Sequence, residues 1–252
     1  IDMHKSFGSL QVLRGVNLSV EKGESMTVIG GSGSGKSVLI KHLVALIRPD
    51  SGQVLVDGAE LGQLHGKALD LVREKFGVLV QGGALFDSMT LFDNVAFPLR
   101  EKTRLAEAEI AKRAIQRLEA VGLADMGHKY PAELSGGMKK RAALARALVQ
   151  DPKIILFDEP TTGLDPILLN SIHRLILDAH KRFGFTAVVV SHEIPEIFDI
   201  AQTVALLHDG VIVECGSPEV IMTSANPVVR QFITGGSHGP MRPGPGSRSS
   251  SP

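Results

Sequence analysis

The sequence predicts an α/β fold built on a parallel sheet buried on both faces. Three observations predict it. Residues 154–157, 187–190 and 204–207 are unbroken apolar runs, the pattern of strands covered on both sides. Helical stretches separate these runs, as crossover connections require. Residues 26–29 form a fourth apolar run that leads straight into a glycine-rich loop and then a helical pattern.

The elements follow in chain order. Short apolar runs broken by turns occupy residues 1–30: Ser6-Phe7-Gly8, then Val12-Leu13, then residues 16–20. They predict a small antiparallel β region near the N-terminus. Ile1 stands within a predicted strand, so residues upstream of it are expected. Glu21-Lys22-Gly23-Glu24 reads as a hairpin turn. Residues 36–46 read as a helix, Pro49-Asp50-Ser51-Gly52 as a turn, 53–58 as a strand and turn, and 76–80 as a short buried strand ending at Gln81. From Ser88 to Val149 the pattern is helical. Ile110, Ala114, Leu118 and Val121 share one helix face, and Gly122 follows as a C-terminal cap. A second helix covers residues 138–149. In residues 235–252, 14 of 18 are Gly, Pro or Ser, a composition that cannot build a core and predicts disorder.

Composition narrows the function classes. The 252 residues are 43% hydrophobic with formal net charge zero. Zero net charge argues against a chain-wide nucleic-acid or anionic-membrane surface. The single cysteine, Cys215, excludes an internal disulfide and fits a reducing compartment. No apolar run approaches the ~20 residues that span a bilayer, and no signal-peptide pattern opens the sequence. A soluble cytoplasmic protein is expected, with any membrane role exerted through partners.

Two glycine-rich segments open helices. The first, Gly30-Gly31-Ser32-Gly33-Ser34-Gly35-Lys36-Ser37, is a complete phosphate-binding loop in the strand–loop–helix context that such a match needs. Its glycines let backbone N–H groups point at phosphate oxygens. Lys36 neutralises the β- and γ-phosphates, and the Ser37 hydroxyl is a Mg²⁺ ligand. The second, Ser135-Gly136-Gly137, opens the helix near Met138. Alone it is more often an ordinary loop, but its serine hydroxyl and helix N-terminus suit a γ-phosphate.

The apolar run 154–157 delivers Asp158 and Glu159 at a strand's carboxyl end, where open α/β sheets bind ligands. Asp158 is the candidate Mg²⁺ holder and Glu159 the candidate general base. His192 ends another core strand and is placed to reach the γ-phosphate or the attacking water. Gln81 is a candidate Mg²⁺ contact, or an ordinary polar strand cap. Phe7 is a candidate for stacking on adenine, or a core or turn aromatic. The other eight histidines show no metal-ligand spacing.

Taken in order, these motifs resemble the ATP-binding subunit of ABC transporters over residues 1 to about 233. Phe7 corresponds to the adenine-stacking aromatic, 30–37 to Walker A, Gln81 to the Q-loop, and 134–138 to the signature. Residues 154–159 correspond to Walker B, Leu164-Asp165 to the D-loop, and His192 to the switch histidine. The resemblance implies a P-loop NTPase of the ABC ATPase fold, with a RecA-like parallel-sheet core and a helical subdomain at about 82–150. It implies ATP and Mg²⁺ as cofactors and a head-to-tail dimer. In that dimer Ser135 and Gly137 act on the ATP bound by the other copy, and Asp165 crosses the interface.

Shorter segments, Gln81 to Phe86, Phe92 to Glu101 and Gly163 to Ile167, together with Ser191-His192-Glu193, are similar to the Mla and toluene-tolerance branch. That branch energises phospholipid transport across the bacterial envelope. It implies a polytopic permease, a lipid-binding domain protein and a STAS-domain subunit as partners, no nucleic acid, and a place on the cytoplasmic face of the inner membrane. Gly31 departs from a frequent proline and Val38 from a second hydroxyl, neither a required contact. Phe86, Leu91, Phe92, Phe97 and Leu99 either line a groove for a permease helix or pack the helical subdomain. The tail either docks on a neighbouring subunit or is a free terminus. Rival readings are a different transport substrate, or a soluble ABC ATPase of DNA repair or translation.

Overall fold

Apolar runs and helical periods alternate through the computed structural model, which describes residues 1–241. In chain order the strands and helices begin with β1 (Met3–Phe7), β2 (Leu10–Val16), β3 (Ser25–Ile29), α1 (Lys36–Leu43), β4 (Leu55–Val56) and β5 (Ala59–Glu60). Then come α2 (Gly66–Arg73), β6 (Phe76–Leu79), α3 (Leu91–Lys102), α4 (Glu107–Ala120), α5 (Gly136–Leu148) and β7 (Ile154–Asp158). The series ends with α6 (Pro166–Phe183), β8 (Thr186–Ser191), β9 (Thr203–His208), β10 (Val211–Gly216), α7 (Pro218–Met222) and α8 (Pro227–Thr234). They divide into two units. One holds residues 1–19, 26–64 and the segment from Ser191 onward; the other holds 20–25 and 65–190.

In the first unit β3 is buried at every residue and pairs in parallel with β9, from Met26↔Thr203 to Ile29↔Leu206. β10 runs antiparallel on the other side of β9. Asp209 and Gly210 join them in a two-residue turn, both left-handed at φ 48° and 76°. Sequence reading missed this antiparallel edge strand, although an Asp-Gly pair between apolar runs is a hairpin signal. β1 and β2 form the expected antiparallel hairpin, and Arg14 N–H donates to Gly210 O at 2.7 Å.

α1 stops at Leu43, three residues before the predicted end. Ala45 turns left-handed at φ 53°, and the Leu46 N–H closes on Lys41 O at 2.9 Å in a helix-ending turn. The start of the glycine-rich tail is held: the Gln231 amide donates to Gly236 O and Met241 O and accepts from Met241 N–H at 2.7 Å. The rest of the tail, and with it the choice between docking and a free terminus, lies outside the described residues.

In the second unit β6, β7 and β8 are parallel, with Leu79↔Phe157 and Asp158↔Val190 in register. Every residue of β8 is buried, as are Ile155, Leu156 and Phe157. Helices α3, α4 and α5 follow β6 or precede β7 and pack on one another. Ile110, Ala114, Leu118 and Val121 are buried together as their spacing predicts. α5 lies so close to β6 that a Cβ on Gly77 would stand 2.6 Å from Ala147 O. Leu91 and Leu99 are 0% and 1% exposed, so these two groove candidates belong to the helical core, whereas Phe86 is 42% exposed.

The turn into α3 hangs on one fully buried amide. Asn94 accepts from Phe86 N–H at 2.7 Å and donates to Phe86 O, Met89 O and Thr90 O at 3.0–3.1 Å. Truncating it removes these four hydrogen bonds and leaves the Phe86 N–H and Met89 O without their side-chain partner, while Phe86 O and Thr90 O keep the Met89 and Asn94 N–H groups. Asn94→Ala is therefore expected to lower unfolding free energy by about 3 kcal/mol in a urea titration.

Candidate active site

The first unit carries the phosphate loop. Apolar β3 runs out at Ile29, and the chain must turn before α1 can begin. Gly33 and Gly35 make that turn with φ 77° and 104°. Gly35 is also the residue before α1, and no side chain caps the helix there. A helix start without a side-chain cap is the kind of terminus that suits an anion. A Cβ on Gly35 would sit 2.9 Å from Leu13 Cδ2 and 3.2 Å from Val12 O, because β2 closes over the loop. Gly30 is sterically fixed as well, since a Cβ there would strike Leu207 O of β9. Gly31 has open space and an ordinary φ, so nothing local demands glycine at the position where a proline is frequent.

Lys36 is 7% exposed and its ammonium donates to Gly30 O at 2.8 Å and Gly31 O at 3.0 Å. The cation is therefore drawn back into the loop rather than extended to solvent. Ser34 Oγ is buried with no hydrogen-bond partner. A buried ammonium, an orphaned hydroxyl and an uncapped helix start form a donor set that fits a polyphosphate. Ser32 and Ser37 are exposed at the loop. Phe7 is 50% exposed at the end of β1, with the Lys5 ammonium 5.6 Å from its ring centroid. His192 is exposed directly after β8.

The second unit carries the carboxylates. Parallel pairing puts the carboxyl ends of β6 and β7 side by side, so Gln81 and Asp158 issue from one sheet edge. Both can offer the hard oxygen ligands that Mg²⁺ takes. Glu159 follows and is 9% exposed. Its φ is 51°, a left-handed conformation that costs a non-glycine residue on the order of 1 kcal/mol. The Glu159 N–H donates to Val190 O at 2.9 Å, the Thr162 hydroxyl donates to Glu159 Oε2 at 3.0 Å, and the Lys140 ammonium reaches Glu159 O at 3.4 Å. A strained backbone held by its neighbours makes Glu159 a candidate functional position.

Sequence reading missed Thr162 and Lys140. The legible hint for Lys140 was a lysine three residues before Ala143 on a helix face that is otherwise apolar.

Ser135 caps α5, its Oγ accepting from Met138 N–H at 3.3 Å. Gly136 and Gly137 each lie 3.4 Å (measured to a would-be Cβ) from a leucine, Leu164 and Leu168 respectively. Asp165 caps α6, accepting from Ile167 N–H and Leu168 N–H at 3.0 and 3.1 Å. Within the protomer both polar residues thus order a helix start. Ile167, two residues beyond Asp165, is 81% exposed.

A protein-family model described as ABC transporter matches residues 13–162, more than half of the chain. The chain belongs to the ABC transporter family. A second model, described as AAA domain, putative AbiEii toxin, Type IV TA system, matches only residues 130–199. This ABC chain is 40% identical over 240 residues to the intermembrane phospholipid transport system ATP-binding protein MlaF of Escherichia coli, covering 95% of this chain and 89% of that one. It is 45% identical over 237 residues to the probable ribonucleotide transport ATP-binding protein mkl of Mycobacterium leprae, covering 94% of this chain and 68% of the relative. In the Mycobacterium tuberculosis protein of the same name the covered share is 66%.

Solved ABC cassettes have the same fold. A dimeric ATP-binding cassette in a post-hydrolysis state bound to ADP and Pi aligns with TM-score 0.78 and 32% identity, over 86% of this chain and 97% of that one. CbiO1 of Clostridium perfringens, part of the transporter complex cbiONQ, aligns with TM-score 0.82 and 28% identity, over 91% and 92%. The chain is thus an α/β ABC ATPase cassette with an N-terminal antiparallel β region.

The loop geometry separates its glycines. Gly35→Ala is expected to cost at least about 1 kcal/mol, from left-handed strain and the Leu13 clash, while Gly31→Ala leaves stability within about 0.5 kcal/mol. Thermal melts of the two variants check this difference.

Proposed function

We propose that this chain is the ATP-hydrolysing subunit of a transporter that moves phospholipid across the bacterial envelope and so maintains outer-membrane lipid asymmetry. The observation that carries the chemistry is the buried Lys36 ammonium turned into the loop Gly30–Ser37, ahead of an uncapped helix. The cargo rests on the 40% identity to MlaF over nearly the whole of both chains. In this reading residues 1–234 are the ATPase domain, with a helical subdomain at about 82–150.

Each residue then has a chemical part. The loop N–H groups and Lys36 hold the phosphates of ATP, and Phe7 stacks on its adenine. Ser37, Asp158 and Gln81 would hold Mg²⁺, which would offset phosphate charge. The Glu159 carboxylate, oriented by the Thr162 hydroxyl, accepts a proton from water as the water oxygen bonds to the γ-phosphorus and ADP leaves. His192 steadies the γ-phosphate. Ser135 and Gly137 meet the ATP of a second, head-to-tail copy, and Asp165 faces across that interface. The exposed Ile167 and half-exposed Leu168 beside Asp165 support burial of this surface against another protein.

Among the described residues no helix is long and apolar enough to cross a membrane. In this reading coupling to transport runs through a polytopic permease at the cytoplasmic face of the inner membrane. A lipid-binding domain protein and a STAS-domain subunit complete the proposed complex. A second reading, ribonucleotide cargo, is favoured by the 45% identity to the mycobacterial relatives. Whether phospholipid or ribonucleotide co-purifies with the intact complex separates the two.

Glu159→Gln is expected to bind ATP with near-parent affinity while turnover falls by roughly 10²-fold or more, leaving a long-lived dimer. Parent-rate hydrolysis by that variant removes Glu159 as the base. Mixing a Lys36→Ala copy with a Ser135→Ala copy is expected to restore part of the activity that each lacks alone. No recovery rules out action across the dimer.

A further inference from the structure

The chain beyond Gln81 has an unusual backbone. Gly82, Gly83 and Ala84 are consecutively left-handed, with φ 82°, 81° and 45°. Among the described residues a single backbone bond closes the turn, Gly83 N–H to Val80 O at 2.9 Å. A diglycine followed by a strained alanine has little of its own to keep it in one shape.

The shape is imposed by the helix that Ser135 caps. Arg146 of α5 donates from Nη1 to Ala84 O at 2.8 Å and from Nη2 to Gly83 O at 2.7 Å. Its planar fork holds two donors in fixed geometry against two successive carbonyls, so less freedom is lost per bond than with a flexible ammonium. The guanidinium also lies 5.8 Å from the Phe86 ring centroid, and that ring meets Phe97 of α3 edge-on at 4.9 Å. One turn earlier on α5, Ala143 Cβ lies 3.2 Å from where a Gly83 Cβ would be. Asn94 of α3 grips Phe86 from both sides of its peptide unit.

Arg146 forms no ion pair among the described residues, and burial alone lowers its pKa. A half-buried guanidinium given wholly to two backbone carbonyls and a ring is a costly way to gain stability. It is an effective way to fix a position.

We infer that Arg146 is a positioning residue that locks the turn carrying Gln81 onto α5, so that Gln81 and the Ser135–Gly137 helix start move as one piece. α5 is the connecting rod. About ten residues separate Gly136 from Arg146, or about 15 Å of helix. Without the clamp the diglycine would absorb any displacement of Gln81 before it reached Ser135. This inference rests on the proposed ATPase role of Gln81.

Two measurements on the full chain test it. By hydrogen–deuterium exchange, Arg146→Lys and Arg146→Gln should speed exchange at the Gly83 and Phe86 amides about tenfold or more, with α5 amides unchanged. Unchanged exchange at Gly83 and Phe86, or acceleration spread through α5, overturns the clamp. In ATP turnover, Arg146→Gln should lower kcat about tenfold with KM within about twofold. The double variant with Gln81→Ala should fall no further than Gln81→Ala alone. Multiplying losses mean that Arg146 does not act through Gln81, and overturn the proposal. A parent protein without ATP turnover would count against the proposed function and leave the exchange comparison to decide the clamp.

Discussion

Backbone polar groups at the end of a buried strand have no partner inside the sheet, and this constraint organises the molecule. β3 is buried at every residue and β7 at its centre, so neither can bend until it leaves the sheet. Where each gives out, N–H groups or carboxylates must face outward. At the end of β3 the glycine loop turns through left-handed Gly33 and Gly35 into an uncapped helix. At the end of β7 a glutamate is forced left-handed. The functional residues sit where the packing rules for a strand cease to apply.

α5 carries a second layer of organisation. Its start is capped by Ser135, its middle brings Lys140 to the Glu159 carbonyl, and its last turn holds the Gln81 turn through Arg146. The close approach to β6 at Gly77 fixes this helix against the sheet. One rigid element thus touches three motifs that lie far apart in sequence. The exposed ion pairs of the same region, such as Arg113 with Glu109, contribute little by comparison, because solvent screens them.

Much of this was legible beforehand. The apolar runs at 154–157, 187–190 and 204–207 became β7, β8 and β9, because a strand buried on both faces admits only apolar side chains. The spacing of Ile110, Ala114 and Leu118 became the inner face of α4, with Val121 buried just beyond its end. The phosphate loop was legible because its geometry needs glycine at fixed offsets. β10 was passed over because its residues are only half-buried and it lacks a continuous apolar run.

Residue type and spacing alone determined the family of motifs, their order, and the chemistry each side chain can perform, since those depend on local geometry and functional groups. Tertiary structure decided which glycines are required by space, that Leu91 and Leu99 turn inward, and that Glu159 is strained. It also decided that Thr162, Lys140 and Arg146 support the site. These residues act through partners 3 to 63 positions away, and a linear pattern holds no record of which distant carbonyl a donor will meet.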